Sequence, residues 1–113
     1  MNSPTRTQRP ARGSRTGRPV MALLDLLGRR GTLRLLWELR EGHPQTFRLL
    51  QASADGMSPS VLNTRVKELR EAGVIELGDA GYAITPRGKE LIRHLLPLHG
   101  WAERWAASQA RQV

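Results

Sequence analysis

Side chains able to do acid-base, nucleophilic or metal chemistry are few and scattered in this 113-residue chain. There is no cysteine, which removes disulfide scaffolds, thiolate zinc sites, cysteine nucleophiles and thiol redox switches together. His43 stands in a turn beside Pro44, while His94 and His99 are five apart in a helical region without an obvious carboxylate or third ligand. Ser58 and Thr85 each precede a proline that opens a helix, so capping accounts for both hydroxyls without nucleophilic chemistry. Gly28-Arg29-Arg30-Gly31 lacks the longer spacing and the Lys-Ser/Thr ending of a phosphate loop. These residues argue against an enzyme, a metal site or a bound cofactor; a small-molecule effector stays open, but no convergent polar set marks a pocket for one.

A different chemistry, recognition of nucleic acid, is carried by the segment from Met57 to Gly73. With about 100° per residue, Ser60, Asn63, Thr64 and Lys67 fall opposite the apolar stripe Leu62, Val66 and Leu69, and Arg65 and Arg70 flank that polar face. Small donors and acceptors bordered by cations suit a helix in a major groove, where the first read base edges and the second hold phosphates. Taken alone, the helix fits a plain solvated face better, so the groove reading depends on the elements around it. A second basic feature precedes it. Arg6, Arg9, Arg12, Arg15 and Arg18 recur every third residue in an acid-free stretch and supply five of the eight net positive charges. Residues 2 to 19 have Ala11 as their only apolar side chain, so this arm is expected to be disordered when free and able to follow a line of phosphates. An arginine-rich composition throughout the chain offers a passive alternative.

The elements that must position these residues read as follows. Val20 to Leu27 has Asp25 as its only polar residue, so this short helix must bury more than one face, one of them against a second subunit. Leu23, Leu24 and Leu27 are the residues expected there. Thr32 to Glu41 forms a second helix stopped by Gly42, and Thr46 caps a short one carrying Phe47, Leu49 and Leu50. Ser58 as N-cap, Pro59 at the first helical position and a Met57 to Leu62 staple start the polar-faced helix, which Gly73 ends. Val74 to Leu77 and Tyr82 to Ile84 form a hairpin across Gly78-Asp79-Ala80-Gly81. Thr85 and Pro86 open a last helix whose Leu95, Leu98, Trp101 and Trp105 exceed what a small monomer would expose, again implying a homodimer. Pro97 and Gly100 are expected to kink that helix or divide it in two.

The order helix, helix, short helix, capped helix, hairpin, helix is that of a winged helix-turn-helix: mainly α with a small β-hairpin wing. The organisation expected is an arm over residues 1–19, a domain over 20–109 and a tail over 110–113. From Pro19 to Trp105, about 87 positions, the sequence also resembles HxlR-type, MarR-like bacterial transcriptional regulators. The resemblance lies in Leu27-Gly28-Arg29-Arg30, in Gly56-Met57-Ser58-Pro59-Ser60-Val61-Leu62, in Arg65-Val66-Lys67-Glu68-Leu69 and in Tyr82-Ala83-Ile84-Thr85-Pro86-Arg87-Gly88. It implies a homodimer joined through the first and last helices, each subunit placing the 58–72 helix in the major groove of double-stranded DNA. On it, Ser58, Ser60, Asn63 and Thr64 become reading positions, with Arg65 at the family's arginine; Lys67 and Arg70 are further cations that the helical phase alone places beside them.

Three departures from that family bear on function. Relatives that sense oxidants often carry cysteine before the proline opening the first helix, and here Arg18 stands before Pro19, so thiol sensing is excluded. Gly31 replaces a usual tryptophan, leaving space that Trp37 is expected to fill in part. Glu76 and Asp79 stand where relatives place basic wing residues, so the wing should add little phosphate binding and the arginine arm should compensate. The alternative kept open is a winged-helix adaptor whose basic arm binds acidic proteins or RNA. The longest apolar run, Val20 to Leu24, is far short of the roughly 20 residues of a membrane helix. The prolines of the arm and the charges after Arg29-Arg30 argue against transit or twin-arginine targeting, so a cytoplasmic location is expected.

Overall fold

The computed structural model describes residues 17–54 and 56–111. Arg6, Arg9, Arg12 and Arg15 lie outside the described residues, whereas Arg18 is the N-cap of the first helix. In chain order the elements are α1 (Pro19–Leu27), α2 (Thr32–Leu39), α3 (Phe47–Ser53), α4 (Pro59–Glu71), β1 (Ile75–Gly78), β2 (Gly81–Ile84) and α5 (Pro86–Arg111). The strands form a two-stranded antiparallel sheet with Ile75 opposite Ile84 and Gly78 opposite Gly81, leaving Asp79 and Ala80 as a two-residue loop. This is the winged helix-turn-helix that the sequence pattern implies.

Most helix boundaries follow from local chemistry. Thr46 Oγ1 accepts from the Leu49 amide at 3.1 Å, Ser58 Oγ from Val61 at 3.2 Å and Thr85 Oγ1 from Gly88 at 3.1 Å, so each expected cap is made. Gly73 follows the C-cap of α4 at φ 78°, a conformation that costs other residues strain but not glycine. The core gathers Leu35, Leu36 and Leu39 of α2, Leu50 of α3, and Leu62, Val66 and Leu69 of α4, all essentially without exposure. Each such side chain contributes about 1.5–3 kcal/mol by leaving water. Ile75, Tyr82 and Ile84 of the wing and Ile92 of α5 extend the same cluster, so the wing and α5 are fastened to the helix carrying the polar face.

The first helix includes Pro19 and the last runs through Ala110 to Arg111, one residue before and two beyond the 20–109 span expected of the domain. Pro97 lies inside α5 without dividing it, because an exposed helix that loses one amide donor can leave the orphaned carbonyl to water. Leu27, expected at a subunit interface, is 7% exposed and turned into its own protomer's core. The space at Gly31 is taken by Met57, whose Cε lies where a Cβ on Gly31 would stand; Gly31 itself is left-handed at φ 88°. Trp37 stacks instead on His99 of α5, ring centroids 5.5 Å apart, with the Arg40 guanidinium 3.9 Å over its ring.

Two glycines set how closely the wing is packed. Tyr82 exchanges both backbone hydrogen bonds with Gln45 at 2.8 Å, adding a one-residue third strand, and a Cβ on Gly81 would meet the Gln45 carbonyl oxygen at 2.5 Å. A Cβ on Gly88 would collide with the Val74 carbonyl oxygen and approach Ile84 Cγ1 to 2.6 Å. The opposing groups are backbone and core, which cannot swing aside. Gly88→Ala should therefore lower unfolding free energy by about 1–3 kcal/mol, read as a fall in urea midpoint at unchanged slope. Gly78→Ala, where a Cβ meets open space, should stay within about 1 kcal/mol.

Candidate nucleic-acid interface

The outward side of α4 is where the sequence pattern places recognition. Ser58, Ser60, Asn63, Thr64, Lys67 and Arg70 are all exposed, while Leu62, Val66 and Leu69 face the core. Their hydroxyls are partly committed. Ser58 Oγ caps the helix and lies 3.4 Å from Ser60 Oγ, and Thr64 Oγ1 donates back to the Ser60 carbonyl at 3.0 Å. Asn63 makes no side-chain hydrogen bond among the described residues, so its amide offers a donor and an acceptor side by side, the pair that matches the major-groove edge of adenine. Lys67 and Arg70, with Glu71, border a shallow depression against Ile75, Glu76 and Leu77 of β1. On the wing, Glu76 and Asp79 are exposed and acidic, the wrong sign for phosphate.

Arg65 is held differently from the other cations. Its Nε donates to the Arg30 carbonyl at 2.8 Å and its Nη1 to Glu68 Oε1 at 2.9 Å. The other carboxylate oxygen of Glu68 accepts from Arg29 Nη1 at 2.6 Å, and Arg29 Nη2 donates to Asp25 Oδ2 at 2.7 Å. Glu68 is 8% exposed, and the Arg29 and Arg65 side chains are 20% and 18% exposed. The bond to Asp25 and then those to Glu68 raise the Arg29 pKa further above its ordinary value, against a smaller opposing cost of desolvation. Its stabilising contribution is thus complete below the unfolded pKa and is lost as pH rises through the folded one, far above neutrality. An i,i+3 Arg65–Glu68 pair is visible in the helical spacing. Arg29, 39 residues from Glu68, was not assigned any role by sequence reasoning, because nothing local says the two will meet.

The residues expected at a subunit interface divide in two. Leu24, Leu98, Trp101 and Trp105 are exposed, each by about half, and so are Val20 and Met21 of α1. Trp101 and Trp105 stack with ring centroids 6.1 Å apart. Leu23 and Leu95 are half-buried against the protomer's own core, and Leu27 is inside it. An apolar groove of about 410 Å³ runs between α2 and α5, walled by Leu33, Trp37, Leu95, Leu96 and His99. Among the described residues no helix is long and apolar enough to cross a membrane, and no cluster of three or more His, Asp or Glu could hold a metal.

The model of HxlR-like helix-turn-helix proteins matches residues 26–110, which includes α2, the whole of α4 and the wing. The chain belongs to the HxlR-like helix-turn-helix family. A helix-turn-helix transcriptional regulator of Methanocaldococcus jannaschii is 24% identical over 97 residues, covering 82% of this chain and 91% of the relative. The helix-turn-helix transcriptional regulator YvaP of Bacillus subtilis is 29% identical over 89 residues, covering 73% and 82%. Among solved structures, quinone-bound YodB from B. subtilis superposes with a TM-score of 0.70 at 25% identity, over 75% of this chain and 96% of YodB. A possible HxlR family transcriptional factor from Thermoplasma volcanium gives 0.67 at 29% identity, over 80% and 86%. This HxlR-like chain is accordingly a helix-turn-helix transcriptional regulator of a DNA-binding family, not an enzyme.

The capping role of Ser58 can be separated from contact with DNA. Ser58→Ala should cost about 1 kcal/mol in thermal or urea unfolding. Ser58→Asp keeps the cap acceptor and should retain that stability, yet it sets a carboxylate against phosphates and should weaken duplex binding in anisotropy titrations.

Proposed function

We propose that this HxlR-like regulator works as a homodimer that places α4 of each subunit in successive major grooves of a pseudo-palindromic operator. The observation that carries the reading is the exposed row Ser60, Asn63, Thr64 and Lys67 on a helix otherwise locked into the core. Two such helices meet one face of a duplex only when about 34 Å, one helical turn, separates them. The exposed apolar residues of α1 and α5 support a second copy as the means of pairing them, since stacked Trp101 and Trp105 and neighbouring Leu98 are costly to leave in water. Asn63 reads a base edge, Ser60 and Thr64 supply shorter contacts, and Lys67 and Arg70 hold phosphates. Arg65 acts through its grip on Glu68 and the Arg30 carbonyl, a smaller part in phosphate binding than the resemblance implies.

The test uses a duplex selected from a random-sequence pool by the unmodified protein. Asn63→Ala should relax preference at one base position by about 1–3 kcal/mol. Lys67→Ala should weaken every sequence alike and lower the salt slope by about one per subunit. Equal losses on selected and random duplexes for both variants would instead favour an adaptor indifferent to DNA sequence. The double variant Trp101→Glu with Trp105→Glu should sediment as a monomer at concentrations where the unmodified chain is dimeric, and lose selected-duplex binding while keeping its helical circular dichroism.

A further inference from the structure

The ion network behind α4 has a composition that structural support alone does not require. It contains two carboxylates, Asp25 and Glu68, and two guanidinia, Arg29 and Arg65, so it is neutral as a unit. It joins α1, the α1–α2 turn and α4, and it holds two arginines inward beside a face whose Lys67 and Arg70 remain exposed. Arg65 follows Thr64 by one residue, about 100° round the helix, at the margin between the core and the reading face. An arginine there has the length to reach a phosphate when nothing holds it. Glu68 divides its two oxygens between the two guanidinia, at 2.9 Å to Arg65 and 2.6 Å to Arg29, so its carboxylate is the shared anchor of both.

We infer that Glu68 is a specificity-determining positioning residue, which withholds Arg65 from the DNA backbone and, through Arg29, fixes α4 against the α1–α2 turn. The inference rests on α4 being the helix that enters the groove. Phosphate contacts add affinity for every sequence, whereas base contacts add it for one. Tying Arg65 inward keeps the first kind of affinity low while the outward face retains the second. Releasing it shifts the balance toward indiscriminate binding.

The test is titration of the full chain against the selected duplex and a random duplex of equal length at several salt concentrations. Glu68→Gln keeps the shape and removes the charge. It should bind random duplex more tightly than the unmodified protein and steepen the plot of log affinity against log salt by about 0.9 for the freed Arg65 in each subunit. The ratio of selected to random affinity should fall. Glu76→Gln, the same charge change on the exposed wing, is the control and should move the slope less. Adding Arg65→Met to Glu68→Gln should take back most of the increase. A slope equal to that of Glu76→Gln, or equal weakening on both duplexes, would leave Glu68 a structural residue and overturn the inference. Should Glu68→Gln fail to melt cooperatively, Arg65→Lys carries the same test. It keeps the charge but loses the planar fork that spans Glu68 and the Arg30 carbonyl, so its slope should steepen, and an unchanged slope overturns the inference equally. Failure of the unmodified protein to enrich any sequence from the pool is a separate result, which counts against the groove reading itself.

Discussion

The carboxylate of Glu68 sits where three parts of the chain converge, and much of the arrangement follows from how that one negative charge is satisfied. An ionised side chain taken almost wholly out of water is tolerable only with close opposite charge and hydrogen bonds to its oxygens. Here one guanidinium comes from the same helix and the other from the turn between α1 and α2, which requires that turn to lie against α4. Arg65 extends the constraint by holding the Arg30 carbonyl, and Arg29 extends it to Asp25 in α1. The polar face of α4 is therefore presented from a frame fixed on its opposite side by leucines and along its edge by charge.

The architecture was legible because it is written in local chemistry. Ser58-Pro59, Thr46 and Thr85-Pro86 state where helices begin, and Gly73 states where one ends. Gly78-Asp79-Ala80-Gly81 states a hairpin between two short β-prone runs. The outward row on α4 was legible for the same reason, since a helix of known phase puts residues of known type on a known side. What was not legible depends on distance along the chain. The Arg29–Glu68 contact, the Gln45–Tyr82 bridge and the Met57 side chain over Gly31 all join segments whose meeting is decided by the assembled core. Leu27 belongs with these: a short helix apolar on several sides does not say which leucine turns inward. Pro97 misleads in another way, because a proline forbids a hydrogen bond but need not end a helix whose neighbouring turns continue.

Backbone proximity explains residues that a reading of side chains leaves bare. The Thr-Pro-Arg-Gly segment at 85–88 performs two tasks at once. Thr85 Oγ1 donates to the Gly73 carbonyl at 2.7 Å while accepting from the Gly88 amide, which ties the end of α4 to the start of α5. Gly88 then lets the α5 backbone rest directly on Val74. Gly81 does the same for the wing against Gln45. The wing is thus a clamp between α4 and α5, and its exposed tip is acidic.

The unbroken course of α5 has a mechanical consequence. Its 26 residues make a rod of about 39 Å at 1.5 Å per residue, seated at one end on the wing and bearing its paired indoles toward the other. A rod of that length carries Trp101 and Trp105 well away from the hairpin, while the Trp37–His99 stack part-way along it ties its middle to α2. The spacing between the indoles and the wing is thereby set by the helix itself.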